Sequence, residues 1–303
     1  MIKKLPLPIS GLMLALAATG NLLFTYGYVL QNFCGILSTI ILFLILMKIL
    51  IYPKVVIKEL ENPIIASVFS TLSMGIMVLS TYTKGYLGNL SFVIWICGLL
   101  LHIYFILRFT RKHIKKNIKN VIPSYFIVYV GIAIGSITAP VFHMQNLGKL
   151  LFYFGILSFI LLLPNVLRGT FTKQIPESVF PNIVISAAPL SLCLAGYLSS
   201  FQSKNMIIVY LLLILSQFTL FLVLIQFPRL LKVKFYPSYS ALTFPVVISA
   251  ISLKLANGFL TIAGKPITFL PYLVKLEEIV SVLIVFYVLI RYLVYIFTPS
   301  HTK

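Results

Sequence analysis

The sequence predicts an all-α integral membrane protein, with ten transmembrane helices forming five tandem helical hairpins in a quasi-five-fold arrangement around a central pore. Three observations predict this. First, of 303 residues, 60% are apolar and only 10% charged, and the mean hydropathy is +1.06; a soluble domain is nearer half apolar and a quarter charged. Second, the apolar residues fall into ten runs, and ten crossings of about 20 residues each occupy roughly 200 positions. Third, a proline opens every second run, at Pro8, Pro63, Pro123, Pro181 and Pro237, with intervals of 55, 60, 58 and 56 residues.

The runs are bounded by proline, glycine and charge. The first, 6–29, follows Lys3-Lys4 and superficially resembles a signal peptide. It is longer than a signal-peptide core and nine more spans follow, so it reads as a retained helix. The others are 34–52, 63–82, 88–109, 123–142, 147–167, 181–200, 205–227, 238–257 and 270–297. Each proline interval holds one Pro-led span, a short turn, a plainer span and a basic loop. Proline at a helix start is ordinary chemistry, but five at a near-constant period mark a repeat. The chain is therefore a single transmembrane domain, 1–303, with repeats of approximately 1–58, 59–119, 120–175, 176–234 and 235–303.

Charge narrows the function. There are 24 Lys and Arg against five acids, all of them Glu: Glu59, Glu61, Glu177, Glu277 and Glu278. Each is expected in or beside a loop or helix end, leaving no span with the carboxylate that proton relays and cation pathways use. An anionic solute is electrostatically easier. Sorted by side, 18 basic residues fall with the termini and the loops after even spans, and six fall opposite. This asymmetry places both termini in the cytoplasm of a multi-pass plasma-membrane protein and accounts for the basic excess without nucleic acid. The dense run from Arg111 to Lys119 is a topology signal, with anionic lipid as an alternative contact. Cys34, Cys97 and Cys193 are scattered packing thiols. No metal spacing, P-loop, GxGxxG or HExxH pattern is present, so neither a cofactor, a metal nor enzyme chemistry is expected.

The two helices of each repeat differ in kind. Even spans are bulky, as in Ile40 to Leu46. Odd spans carry small or hydroxylated residues every three or four positions, which keeps them on one face: Gly11 and Ala15; Ser67, Thr71 and Gly75; Gly131 and Gly135; Ala187 and Ser191; Ser249. One such stripe is the usual membrane packing motif. Five on alternating helices suit an inner ring with small faces toward an axis, walled from lipid by the even helices. The prolines inside odd spans, Pro189 and Pro245, would free backbone carbonyls, which a bilayer tolerates beside protein or a cavity. Five helix N-termini, each with roughly half a positive charge, would face the cytoplasmic mouth.

Within the ninth span, Thr243-Phe244-Pro245 sets a large ring beside an expected kink, about seven residues and roughly 10 Å inside the helix start. On a small-residue face the ring would plug an axial path; elsewhere it simply packs. Lys254, ten residues on, either attracts anions at an outer vestibule or snorkels to the interface. His102 and Trp95 read as packing residues in the fourth span, and His143 lies at an outer helix end. Asn89-Leu90-Ser91 fits a glycosylation pattern that is common by chance.

Leu5-Pro6-Leu7-Pro8 with Gly11, the five Pro-led hairpins, Ile122-Pro123-Ser124, Ala188-Pro189 and Thr243-Phe244-Pro245, in this order, resemble the tellurite-resistance/dicarboxylate transporter family, which includes bacterial TehA and the plant guard-cell slow anion channels. The resemblance covers nearly the whole chain. It implies a ten-helix pore in each subunit of a homotrimer, with Phe244 as the pore-occluding ring and Gly11 as the small residue that makes room for it. Val246-Val247 departs from the small or Gly-containing stretch often found after that ring. The expected function is an anion channel for small anions. The alternative is a proton-coupled carrier for C4-dicarboxylates or oxyanions such as tellurite. Membrane lipid and these solutes are the expected partners.

Overall fold

The computed structural model describes residues 2–114, 122–172 and 176–298. Helices α1 (Ile9–Leu23) and α2 (Tyr28–Ile51) form the first hairpin, and α3 (Pro53–Glu59) links it onward. The third span is split into α4 (Pro63–Phe69) and α5 (Thr71–Leu87), and α6 (Asn89–Phe109) returns. The fifth span comprises α7 (Tyr125–Tyr129) and α8 (Ala133–Thr138), followed by α9 (Gln145–Thr172). A 3-10 helix, Glu177–Ala187, runs into α10 (Ala188–Ser200), paired with α11 (Met206–Leu224). After the short α12 (Phe227–Leu230), a second 3-10 helix, Pro237–Leu242, leads into α13 (Phe244–Ile262), and α14 (Leu270–Phe297) completes the bundle. Among the described residues there is no strand, and nine helical segments are long and apolar enough to cross a membrane. The fifth span is the exception, because it is broken.

The helices form two concentric rings. Helix α1 packs on α5, α5 on α8, α8 on α10, α10 on α13, and α13 back on α1, which closes an inner ring of odd spans. The even helices sit outside: α2 touches α1 and α5, α9 touches α8 and α10, α11 touches α10 and α13, and α14 touches α13 and α1. Burial follows the same division. In the four long odd spans 56–78% of the apolar window is buried, against 22–33% in the even ones. Bulky residues of the outer helices, such as Ile40, Phe43 and Ile214, are exposed, which suits contact with lipid tails. The first and last described segments lie at one end of the bundle, since Lys4 and Tyr295 line a common cavity there; this end is called proximal, and the other distal.

Hydroxyl side chains stitch the inner ring together. Thr71 Oγ1 lies 2.8 Å from Ser10 Oγ, joining α5 to α1. Ser67 donates to Ser124 Oγ at 2.8 Å, just before α7, and Ser136 donates to the Gly196 carbonyl at 3.1 Å, joining α8 to α10. Buried hydroxyls inside a bilayer are satisfied chiefly by protein groups, and each of these has such a partner.

Three expectations are corrected. The fifth span is not one helix: the N–H groups of Val130 and Gly131 both bond to the Phe126 carbonyl, at 2.8 and 3.1 Å. A Cβ on Gly131 would lie 2.0 Å from the Ile127 carbonyl oxygen, so only glycine fits this break. The Val128 carbonyl left outside the helical ladder accepts instead from His102 Nε2 at 3.1 Å. Next, Pro189 and Pro245 are not interior kinks. Each sits in the first turn of its α-helix, after a 3-10 segment, where a missing N–H costs nothing. Finally, the tenth span does carry carboxylates. Glu277 and Glu278 lie seven and eight residues into α14, roughly 10 Å from its start, and are 5% and 4% exposed.

Of the basic run from Arg111, residues Arg111 to Ile114 continue a π-helical turn, Thr110–Ile114; Lys115, Lys116 and Lys119, like Lys173 and Lys303, lie outside the described residues. Lys48 is not a loop cation. It is 1% exposed and bonds Glu59 at 2.5 Å and the Leu5 carbonyl at 2.6 Å, which pins the N-terminal segment to α2 and α3.

Candidate functional site

Three cavities succeed one another through the inner ring, linked by shared walls. The proximal one, about 350 Å³, is lined by Lys4, Pro8, Asn62, Val68, Asn182 and Tyr236 among others. The middle one is far smaller, about 30 Å³, and its wall includes Gly11, Val68, Thr71, Ala188, Ser240, Phe244 and Pro245. The distal one, about 230 Å³, is lined by Asn21, Thr138, Phe244, Ile248, Ile251 and Lys254 among others. Val68 belongs to the proximal and middle walls, and Phe244 to the middle and distal walls.

Phe244 reaches both cavities because of its place in the chain. The 3-10 helix ends at Leu242, Thr243 bonds back to the Ser240 carbonyl at 2.7 Å, and the α-helix begins at Phe244. Phe244 is 6% exposed, and Val246 and Val247 behind it are buried. Gly11 lines the same small cavity, but the three atoms nearest a Cβ built there all belong to Ser240, the closest at 3.1 Å. The space Gly11 leaves is thus taken directly by the segment that precedes the ring.

The first turns of five inner helices meet at the middle cavity. Gly11 comes from the start of α1, Thr71 from α5, Phe126 from α7, Ala188 from α10 and Phe244 from α13. Helix N-termini carry partial positive charge, and the apolar wall leaves that field poorly screened. The 3-10 and broken segments therefore draw the dipole ends inward, from the expected mouth to the level of the ring. In the proximal cavity Asn182 is 4% exposed, and neither its amide nitrogen nor its oxygen has a hydrogen-bond partner.

Of the predicted lining residues, Gly11, Thr71, Phe244 and Pro245 line the middle cavity, and Lys254 lines the distal one. The others serve helix contacts. Gly75 faces Met13 of α1, and Gly135 faces Leu151 of the outer helix α9. Ser249 accepts from Gln217 Nε2 of α11 at 3.3 Å. Ser191 bonds the Ala187 carbonyl of its own span at 3.2 Å. Ala15 is fully buried and its carbonyl accepts from Thr19 at 2.8 Å, while Ser67 and Gly131 act in the stitch and the break described above. Sequence reasoning missed Asn182 and Ser240, small polar residues outside any motif, and Glu278, whose helical position was misjudged. Among the described residues no group of three or more His, Cys, Asp or Glu is placed to hold a metal.

A double ring of helices around a series of cavities, one of them walled by the first turns of five inner helices, is the architecture of a multi-pass membrane protein. Residues 5–293 match the family model described as voltage-dependent anion channel (SLAC1). The chain belongs to that family, and its function is anion transport across a membrane. No curated protein matches the chain.

Proposed function

We propose that the protein is a channel through which small anions pass down their gradient along the axis of the inner ring, with the Phe244 ring as the stopper. The observation that carries this reading is that the middle and distal walls share Phe244. A space of about 30 Å³ admits only a water or two, so no hydrated anion crosses while the ring stays in place. Outward rotation of the ring would join the cavities, and the helix N-termini beside it would stabilise a partly dehydrated anion at the narrowest point. The Gly11, Thr71 and Ser240 side of the middle cavity offers small groups against which the ring can move. In this reading the chain forms a single domain of five repeats and acts in the plasma membrane as a homotrimer. Its proximal end faces the cytoplasm, as the basic asymmetry favours. The test is anion current through Phe244→Ala in bilayers, expected to exceed that of the unsubstituted protein.

A second reading, a proton-coupled carrier for C4-dicarboxylates or oxyanions such as tellurite, is favoured by one observation: Glu277 and Glu278 are buried carboxylates inside the tenth span. Such groups mark proton pathways in many membrane proteins. Against it, Glu277 lies between helices near Ser249 and Gln217 and lines none of the three axial cavities. Liposome flux of malate or chloride with and without an imposed pH gradient separates the two. A channel follows the anion gradient alone, whereas a carrier accumulates solute when protons drive it.

A further inference from the structure

The distal cavity contains a charge arrangement that the passage of anions alone does not explain. Its named wall is apolar apart from Asn21, Thr138 and Lys254, so Lys254 is its one charged lining group. The ammonium is fully occupied. It donates to Glu278 Oε1 at 2.6 Å, to Thr25 Oγ1 at 2.8 Å and to the Leu22 carbonyl at 2.9 Å. An ammonium has three N–H bonds, and here each has a protein acceptor. The carboxylate is occupied too: its Oε2 accepts from Tyr26 Oη at 2.5 Å, and that phenol accepts from Lys275 Nζ at 2.5 Å. Lys254 Nζ and Lys275 Nζ lie 5.3 and 4.4 Å from the Tyr26 ring centroid, so the two cations flank one aromatic ring.

We infer that Glu278 sets the anion affinity of the distal cavity by occupying Lys254 as an internal counter-ion. Glu278 and a permeant anion compete for one ammonium. A bare lysine in an apolar cavity of this size would hold an anion strongly, because the charge is poorly screened there. Conduction needs a site strong enough to admit an ion and weak enough to release it. The Lys254–Glu278 pair meets both needs, leaving a dipole at the wall with the positive end lining the cavity. Tyr26 and Lys275 hold the carboxylate from the far side, so the pair is fixed in place from two helices and the turn after α1. Glu278 thus sets the affinity of the cavity without needing to touch the anion.

The inference rests on the proposed axial path, and its test is chosen to separate the two. Anion binding is read without flux, as the chloride or nitrate concentration that half-saturates thermal stabilisation of the purified protein in detergent. Glu278→Gln retains hydrogen-bond partners for Lys254 and Tyr26 while removing the negative charge. It is expected to lower the half-saturating concentration about three- to tenfold, from one unit charge a few ångströms away in a partly screened site. Lys254→Met is expected to weaken binding. The double variant Lys254→Met/Glu278→Gln leaves no unpaired buried charge, although it strands the Leu22 carbonyl, and is expected to stay folded and to bind more weakly than Glu278→Gln. Equal half-saturating concentrations in the parent, Glu278→Gln and the double variant overturn the inference. The same substitutions are then read in conducting Phe244→Ala channels, where Glu278→Gln should lower the saturating concentration on the distal side. If Phe244→Ala carries no current, the axial path fails, while the binding measurements still decide the role of Glu278.

Discussion

Replacing Phe244 by alanine removes six ring carbons that line both a space of about 30 Å³ and one of about 230 Å³. The middle space holds no more than a water or two, so in the closed form an anion would have to be stripped and squeezed past a benzyl group. In the proposed reading the two spaces join once the ring is gone, and the barrier falls to partial dehydration beside the five helix N-termini. The expected result is at least a tenfold rise in chloride current, which corresponds to about 1.4 kcal/mol of barrier. Truncating a buried Phe costs about 3–5 kcal/mol in a packed core. The low end applies here, because the ring already faces a void on both sides. Graded truncation to Leu, Val and Ala, measured as single-channel or macroscopic current in planar bilayers, should give a graded rise. If the alanine protein is monodisperse, inserts normally and yet conducts no better than the parent, the ring is a packing residue and the reasoning is refuted.

Gly131→Ala should destabilise the protein strongly, since its Cβ would sit 2.0 Å from the Ile127 carbonyl; a fall in the detergent melting temperature is the check, and an unchanged melt would show that the break can reshape. His102→Leu should cost about 1–3 kcal/mol, read as a lower melt, because it leaves the Val128 carbonyl without its partner and Ser73 Oγ with the Ser70 carbonyl alone. Lys48→Met strands Glu59 and the Leu5 carbonyl, so limited proteolysis should cut the N-terminal segment sooner than in the parent. Asn182→Leu should reduce current in the Phe244→Ala background by removing an uncommitted amide from the proximal wall; equal currents would show that the amide does not meet the ion.

The double ring was legible because it rests on patterns that need no tertiary knowledge. Proline at Pro8, Pro63, Pro123, Pro181 and Pro237 marks where helices are entered, and the contrast between small and bulky spans separates helices facing protein from helices facing lipid. The small-residue stripes were read too simply. An inner helix in a ring has two flanks and an outer side as well as an axial face, so Gly135 and Ser249 serve contacts with α9 and α11 while Thr71 and Gly11 reach the axis. The breaks were not legible. Whether Pro245 kinks a helix or starts one depends on the 3-10 turn before it, which Tyr292 secures by donating to the Pro237 carbonyl across the bundle. Glu277 and Glu278 were misplaced for a related reason. The span bounded at 270–297 matches α14, but positions seven and eight residues into it were taken as a helix end, and Glu278 is sheltered by Lys254 and Tyr26, residues more than twenty positions away in the chain.

The most direct test of the axial path is thiol labelling from one side at a time. With the exposed Cys97 replaced by Ser, a cysteine is placed at Ile248 in the distal wall or at Ser240 in the middle wall. A small charged thiol reagent is then applied to either face of reconstituted membranes. With Phe244 present, Ile248→Cys should react only from the distal face; with Phe244→Ala it should react from both, and Ser240→Cys should become reachable from the distal face as well. Labelling at both positions that is indifferent to the ring would contradict a single conduit closed by Phe244.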